Sequence, residues 1–152
     1  MKFTLDTNVF IDGFRHADAQ ADLLAFLYRA LPFTYLSAVV MQELAAGART
    51  AQAVRNLQQG VFTPFERRRR VFAPSAGAFV ESGRALAGIA AKEGWQVLDQ
   101  NPSLLNDALI AASCREQGIT VITKDGDFER IAPFLKGLRY ADPWPSPPGL
   151  RA

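Results

Sequence analysis

Residues 103–128, SLLNDALIAASCREQGITVITKDGDF, hold the decision on the fold. Ser103 reads as a helix N-cap, and Leu104, Asp107, Ala111 and Cys114 follow at spacings of three, four and three, so they share one helical face. Gly118 supplies the stop. The next five residues, ITVIT at 119–123, are β-branched throughout and read as a buried strand. Asp125 and Asp127 come directly after it. A helix that returns through one glycine into an apolar strand is the second half of a βαβ crossover, the unit of a parallel sheet.

The pattern repeats outward from this segment. KFTLD at 2–6 reads as a strand ending on Asp6, with a short helix over Val9–Phe14. Residues 18–30 place Leu23, Leu24, Leu27 and Tyr28 at helical period behind an Asp18 N-cap, and Pro32 ends the helix. FTYLS at 33–37 is a second strand, and Ser37 caps the helix AVVMQELAAG, closed by Gly47. Residues 50–59 read as a helix stopped by Gly60, RVFAP at 70–74 as a third strand, and Ser75–Lys92 as a long helix ending at Gly94. Residues 95–102 read as a loop. A short helix over 128–134 and a strand at 138–140 follow ITVIT. The expected fold is α/β: one domain over 1–142, with a central, mostly parallel sheet of four or five strands flanked by helices, and a proline-rich tail over 143–152. Ligands of such sheets bind beyond the carboxyl ends of the strands.

Composition narrows the chemistry. An apolar fraction of 49% and a charged fraction of 21% over 152 residues describe a globular chain. The single cysteine, Cys114, excludes an intrachain disulfide and a cysteine-built zinc site, and the single histidine, His16, argues against a histidine metal site or a Ser-His-Asp triad. Apolar runs are too short for a membrane helix, and MKFTLDTN is no signal peptide, so a soluble cytoplasmic protein is expected. Net charge is only +2, yet Arg67, Arg68, Arg69 and Arg70 are consecutive. Such a block is either a solvated surface or an RNA-binding patch, since arginine forks match phosphate oxygens.

The acids carry the functional reading. Asp6, Asp125 and Asp127 follow two strands expected at the centre of the sheet, and capping is their bland role. Glu43 shares a helix face with Val39, Val40 and Gly47, and Asp107 shares one with Leu104, Ala111 and Cys114; both are expected to point inward. An unpaired buried carboxylate costs several kcal/mol at least, so such a residue is paired, protonated or bound to a metal. Acids that converge on one sheet edge are reconciled by Mg²⁺ or Mn²⁺, which prefer carboxylate oxygen and can activate water against a phosphodiester. Asn8 and Thr123 are the uncharged polar residues nearest these acids.

The segments LDTNVFID at 5–12, SAVVMQEL at 37–44 and LLNDALIAASCREQGITVITKDGDF at 104–128, with a short strand before the end, together resemble the PIN-domain ribonucleases, and within them the VapC-type toxins of toxin–antitoxin pairs. The resemblance implies a metal-dependent endoribonuclease with a four-acid site. Asp6, Glu43 and Asp107 match the first three acids, and the fourth falls in TKDGDF, with Asp125 placed ahead of Asp127. Thr123 and Asn8 match the family's polar neighbours. The resemblance also implies structured RNA targets such as tRNA or rRNA, a cognate antitoxin that inserts a segment into the acidic groove, and a homodimer. The alternatives are a PIN nuclease of RNA maturation outside any toxin pair, a non-catalytic RNA-binding or partner-docking PIN protein, and a haloacid-dehalogenase-like phosphatase. The last needs DxD where this chain has Asp6-Thr7-Asn8.

Overall fold

In the computed structural model, which describes residues 1–144, strands β1 (Phe3–Leu5), β2 (Thr34–Ser37), β3 (Val71–Phe72), β4 (Thr120–Ile122) and β5 (Tyr140–Ala141) form one sheet in the order β3-β2-β1-β4-β5. Every pairing is parallel. The sheet therefore has five strands, the upper of the two expected numbers. Phe3, Leu5, Val121 and Ile122 on the two central strands are all buried, which explains why ITVIT reads as continuously apolar rather than alternating.

The connections position the site. From β1 the chain steps outward through β2 to β3, then helices carry it back across to β4 on the other side of β1. Strand order thus reverses between β1 and β4. In an open parallel sheet this is the point where the loops leave in opposite directions and a crevice opens beyond the carboxyl ends. Asp6 follows β1, and Thr123 follows β4.

The helices are α1 (Thr7–Arg15), α2 (Ala17–Ala30), α3 (Ala38–Gly47), α4 (Ala51–Leu57), α5 (Thr63–Arg67), α6 (Ala76–Glu93), α7 (Gln96–Gln100), α8 (Ser103–Gln117) and α9 (Asp127–Ile131). Helices α6 and α8 pack together, as do α1 and α2. Ser37 Oγ accepts from the amide of Val39 at 3.2 Å, so Ser37 caps as expected; Ser75 Oγ accepts from that of Ala78 at 3.1 Å, so Ser75 is the cap of α6 and not its first residue. Gly94 and Gly118 end α6 and α8 at φ of 99° and 67°, a region where a side chain would be strained.

Several local expectations are corrected. Asp18 is not the cap of α2; His16 occupies that position without a side-chain bond, and Asp18 lies in the first turn, where its charge suits the helix dipole. The buried face of α2 is Leu23, Phe26 and Ala30 with Leu27 partly covered, whereas Leu24 and Tyr28 are exposed. Phe26 sets this rotation by meeting Phe3 edge-on, ring centroids 6.1 Å apart. Gly60 does not stop a helix: a π-helical turn over Gln58–Phe62 absorbs it, and the chain runs on into α5, anchored by buried Leu57, Phe62 and Phe65. Residues 95–102 are not all loop, because Val97 is buried and draws α7 out of that stretch. Pro102, not Ser103, caps α8, without a side-chain bond. The Trp144 ring packs at 5.3 Å from that of Phe26. The proline-rich remainder of the expected tail, 145–152, lies outside the described residues. Among the described residues no helix is long and apolar enough to cross a membrane.

Candidate metal centre

The crevice at the reversal point is lined by acids from three elements. Asp6 leaves β1 and caps α1: its Oδ1 accepts from the Thr7 amide at 2.8 Å. Its Oδ2 accepts from the Thr123 hydroxyl at 2.7 Å and from Asn8 Nδ2 at 3.0 Å. The capping role and a role in the site are therefore not alternatives; the cap fixes the carboxylate. Thr123 is the hub that joins β1 to β4, since its hydroxyl oxygen also accepts from the Asp125 amide at 2.9 Å and from Asn8 Nδ2 at 3.3 Å. Asn8 Oδ1 in turn accepts from the Lys124 amide at 3.3 Å.

Asp107 arrives from α8, buried as the helical spacing requires, with 5% of its surface exposed. Asp107, Asp125 and Asp127 each bring a carboxylate oxygen to within 4.8 Å of the other two. Asp127 is fixed from outside by Arg130, whose Nη1 donates to Asp127 Oδ1 at 2.7 Å while Nη2 holds Glu93 Oε1 at 3.1 Å. The Asp127 amide donates to Asp125 Oδ1 at 2.9 Å. The cluster is thus a braced arrangement, not a set of acids free to turn apart.

Electrostatics distinguish the two most buried acids. Burial pushes the Asp6 carboxyl up to about 6, against three hydrogen bonds that favour its charged form. Asp107 has no such compensation. Burial first, then the charges of Asp6, Asp125, Asp127 and Glu43, push it up to about 8. Its Oδ2 is fully buried and has no hydrogen-bond partner among the described residues. The Thr4 and Thr7 hydroxyls share that lack, but an unmatched hydroxyl costs far less than a carboxylate oxygen. A hard divalent cation meets all of these conditions at once: a carboxyl oxygen without a partner, two further carboxylates in reach and, among the described residues, no nitrogen or sulfur ligand in the cluster. The donor set therefore fits Mg²⁺ or Mn²⁺.

Glu43 corrects the reading of its helix. It is half-buried rather than inward-facing, because Leu44, one residue on, takes the core position. It stands at the margin of the crevice, close enough for its charge to raise the pKa values of both Asp6 and Asp107. It also lines a groove of about 580 Å³ with Ile11, Phe14, Leu44, Leu57 and Val61. The Arg67–Arg70 block is not at the crevice. Arg70 immediately precedes β3, so the block sits at the amino ends of the parallel strands, opposite the acids. Sequence reading missed three ion pairs beside the site. Asp127 and Arg130 are three apart on a helix, which is a legible signal. Lys124 with Asp12, and Arg130 with Glu93, join distant segments and carry no sequence signature.

A family model described as PIN domain matches residues 3–133. Solved structures of similar fold include DNA-bound VapBC from Salmonella typhimurium, with 24% identity, a TM-score of 0.70 and coverage of 94% of this chain and 98% of that one. FitAcB from Neisseria gonorrhoeae has 22% identity and a TM-score of 0.67, covering 93% and 98%. VapBC-1 from nontypeable Haemophilus influenzae has 22% identity and a TM-score of 0.61, covering 94% and 98%. At these identities the likeness is one of fold. Comparison with curated proteins finds no match.

Proposed function

Because the chain belongs to the PIN domain family, whose members are generally nucleases, we propose that it is a metal-dependent endoribonuclease and the toxin of a toxin–antitoxin pair, acting on structured RNA such as tRNA or rRNA in the cytoplasm. The observation that carries this reading is the crevice where Asp107, Asp125 and Asp127 bring carboxylate oxygens within 4.8 Å of one another, with Asp107 Oδ2 buried and without a hydrogen-bond partner among the described residues. The phosphatase alternative has no comparable support, since the second acid of its DxD motif is Asn8, which is engaged with Asp6 and Thr123.

In this reading Asp107, Asp125 and Asp127 hold Mg²⁺ or Mn²⁺, with Asp6 and Glu43 completing the anionic rim. A bound divalent ion supplies a water of lowered pKa and neutralises charge on the phosphate. The chain's own residues do the rest. Thr123 and Asn8 keep the Asp6 carboxylate aimed across the β1–β4 junction. Arg130 keeps Asp127 turned into the crevice while drawing charge from one of its oxygens.

The toxin half of the proposal is supported by the fold likeness to proteins solved as toxin–antitoxin complexes, including a toxin–antitoxin complex from Klebsiella pneumoniae. The groove beside Glu43 has apolar walls and an acid at its margin, which suits an antitoxin segment carrying apolar and cationic side chains. A homodimer is part of the same proposal. Two experiments test it. RNA incubated with the full chain is expected to be cut with Mg²⁺ or Mn²⁺ and spared with EDTA; equal cleavage under both conditions would refute the metal-dependent reading. Expression of the chain alone is expected to slow growth, and co-expression with the small protein encoded beside it to restore growth. Harmless expression, with cleavage intact in vitro, would leave a nuclease outside any toxin pair.

A further inference from the structure

We propose that the amino-terminal edge of the sheet is a second RNA contact, an exosite for backbone phosphates and an adjoining base, built from Arg67–Arg70 with Lys2 and Tyr28. It rests on the reading of the chain as an RNA nuclease and adds a substrate-binding surface remote from the acids.

The geometry separates the two surfaces. Lys2 directly precedes β1 and Arg70 directly precedes β3, whereas Asp6 and Asp125 follow strands. Lys2 and Asp6 are four residues of extended chain apart, about 13 Å. The arginines are fixed by their backbone. The Arg70 amide donates to the carbonyl of Phe65 at 2.9 Å and the Arg69 amide to that of Glu66 at 2.9 Å, the paired bonds of a Schellman turn that ends α5. Arg69 takes the left-handed position of this turn at φ of 52°, the one non-glycine residue with positive φ among those described. A glycine would hold the turn with less strain.

The side chains are organised but not neutralised. Arg68 donates to the Pro64 carbonyl at 2.9 Å and Arg70 to the Leu31 carbonyl at 3.3 Å. The Arg70 guanidinium and the Lys2 ammonium both sit over the Tyr35 ring, 5.5 and 5.6 Å from its centroid. Among the described residues, none of the four arginines pairs with a carboxylate. Four adjacent cations without a paired carboxylate make a positive surface that draws in anionic ligands. Between them opens a cavity of about 470 Å³ lined by Arg68, Arg70, Tyr28, Leu31 and Pro32. Guanidinium groups on one wall suit phosphate, and the Tyr28 ring, 92% exposed, offers a flat face for a base. An acidic peptide would satisfy the arginines but would leave the ring and apolar wall without a flat partner, so RNA is the better fit.

The test is binding of the full chain, in EDTA to prevent cleavage, to a stem-loop RNA transcript over a range of salt. Replacing Arg67→Gln together with Arg69→Gly should weaken binding about tenfold at low salt and flatten the slope of log affinity against log salt by about one to two, the effect of losing two phosphate contacts. The melting temperature should hold or rise, because glycine relaxes the turn; a purely structural role for Arg69 gives the opposite sign. Tyr28→Ser should weaken binding with the salt slope unchanged. Unaltered affinity and slope in the double variant would overturn the exosite. So would an equal loss of binding to polyglutamate, which would make an acidic protein segment the occupant. Patch-dependent binding by a chain that cuts no RNA would overturn the nuclease reading and keep the exosite; cleavage with binding indifferent to the patch would do the reverse.

Discussion

The two ends of the sheet carry opposite charge in opposite ways. At the carboxyl end, Asp6 and Asp107 are buried, and neighbouring acids add repulsion to desolvation. At the amino end, Arg67, Arg68 and Arg69 are exposed, where water screens their mutual repulsion. The difference teaches where function is more costly to the fold. The acids strain the folded chain unless a cation joins them, while the arginines cost little whether or not a ligand is present. Each end can be altered separately, and the expected effects differ in size.

The largest effect is expected at the buried acids. Asp107→Asn and Asp6→Asn each remove a charge at nearly constant shape and should lower RNA cleavage by about two orders of magnitude or more, the scale of losing roughly 3 kcal/mol from the transition state. Cleavage rates on saturating RNA check this; wild-type rates in Asp107→Asn would remove that carboxylate from the chemistry.

Next comes the stability of the metal-free chain. The Asp107 pKa is raised in the fold to about 8, above its ordinary value of 3.8, and that of Asp6 to about 6. The folded state therefore binds more protons than the unfolded chain between these limits, and stability falls as pH rises from about 4 to about 8. Thermal melts in EDTA should show a lower midpoint at pH 8 than at pH 5, and Mg²⁺ or Mn²⁺ should narrow the gap. Asp107→Asn should raise the pH 8 midpoint without metal. A clear fall there would mean that the carboxylate is satisfied by a salt bridge instead.

Arg130→Gln probes the brace. Loss of the partner that orients Asp127 should weaken metal affinity about tenfold, the lower range for removing a group that orients a ligand. Calorimetric titration with Mn²⁺ reads it, and unchanged affinity would show that Asp127 needs no support. Lys124→Ala breaks the exposed pair with Asp12 and should leave the denaturant-unfolding midpoint nearly unchanged. A clear drop would place that pair within the site.

The same contrast shows what was legible in the sequence. A mostly parallel sheet of four or five strands was readable because buried strands print as apolar runs and glycines mark the helix ends, as at Gly118. Asp107 was readable because a carboxylate on an apolar helix face conflicts with its surroundings. Glu43 misled because α3 is so apolar that its true buried face, Val39, Val40 and Leu44, cannot be told from its neighbours by period alone. Gly60 misled because a π-helical turn tolerates a residue that would ordinarily mark a stop. The position of the arginine block was not legible: residues 67–70 acquire an end of the molecule only once β3 is known to run parallel to β2. Nor were the long-range braces, since the Arg130–Glu93 bond spans 37 positions and depends on how α6 meets α9.

The most direct test of the acidic crevice is a single titration: cleavage of a structured RNA by the full chain against Mn²⁺ concentration, run in parallel with Asp107→Asn. The account expects no cleavage in EDTA, a saturable rise with Mn²⁺ for the wild type, and a curve for the variant lowered by about two orders of magnitude or more. Metal-independent cleavage, or coincident curves for the two proteins, would contradict it.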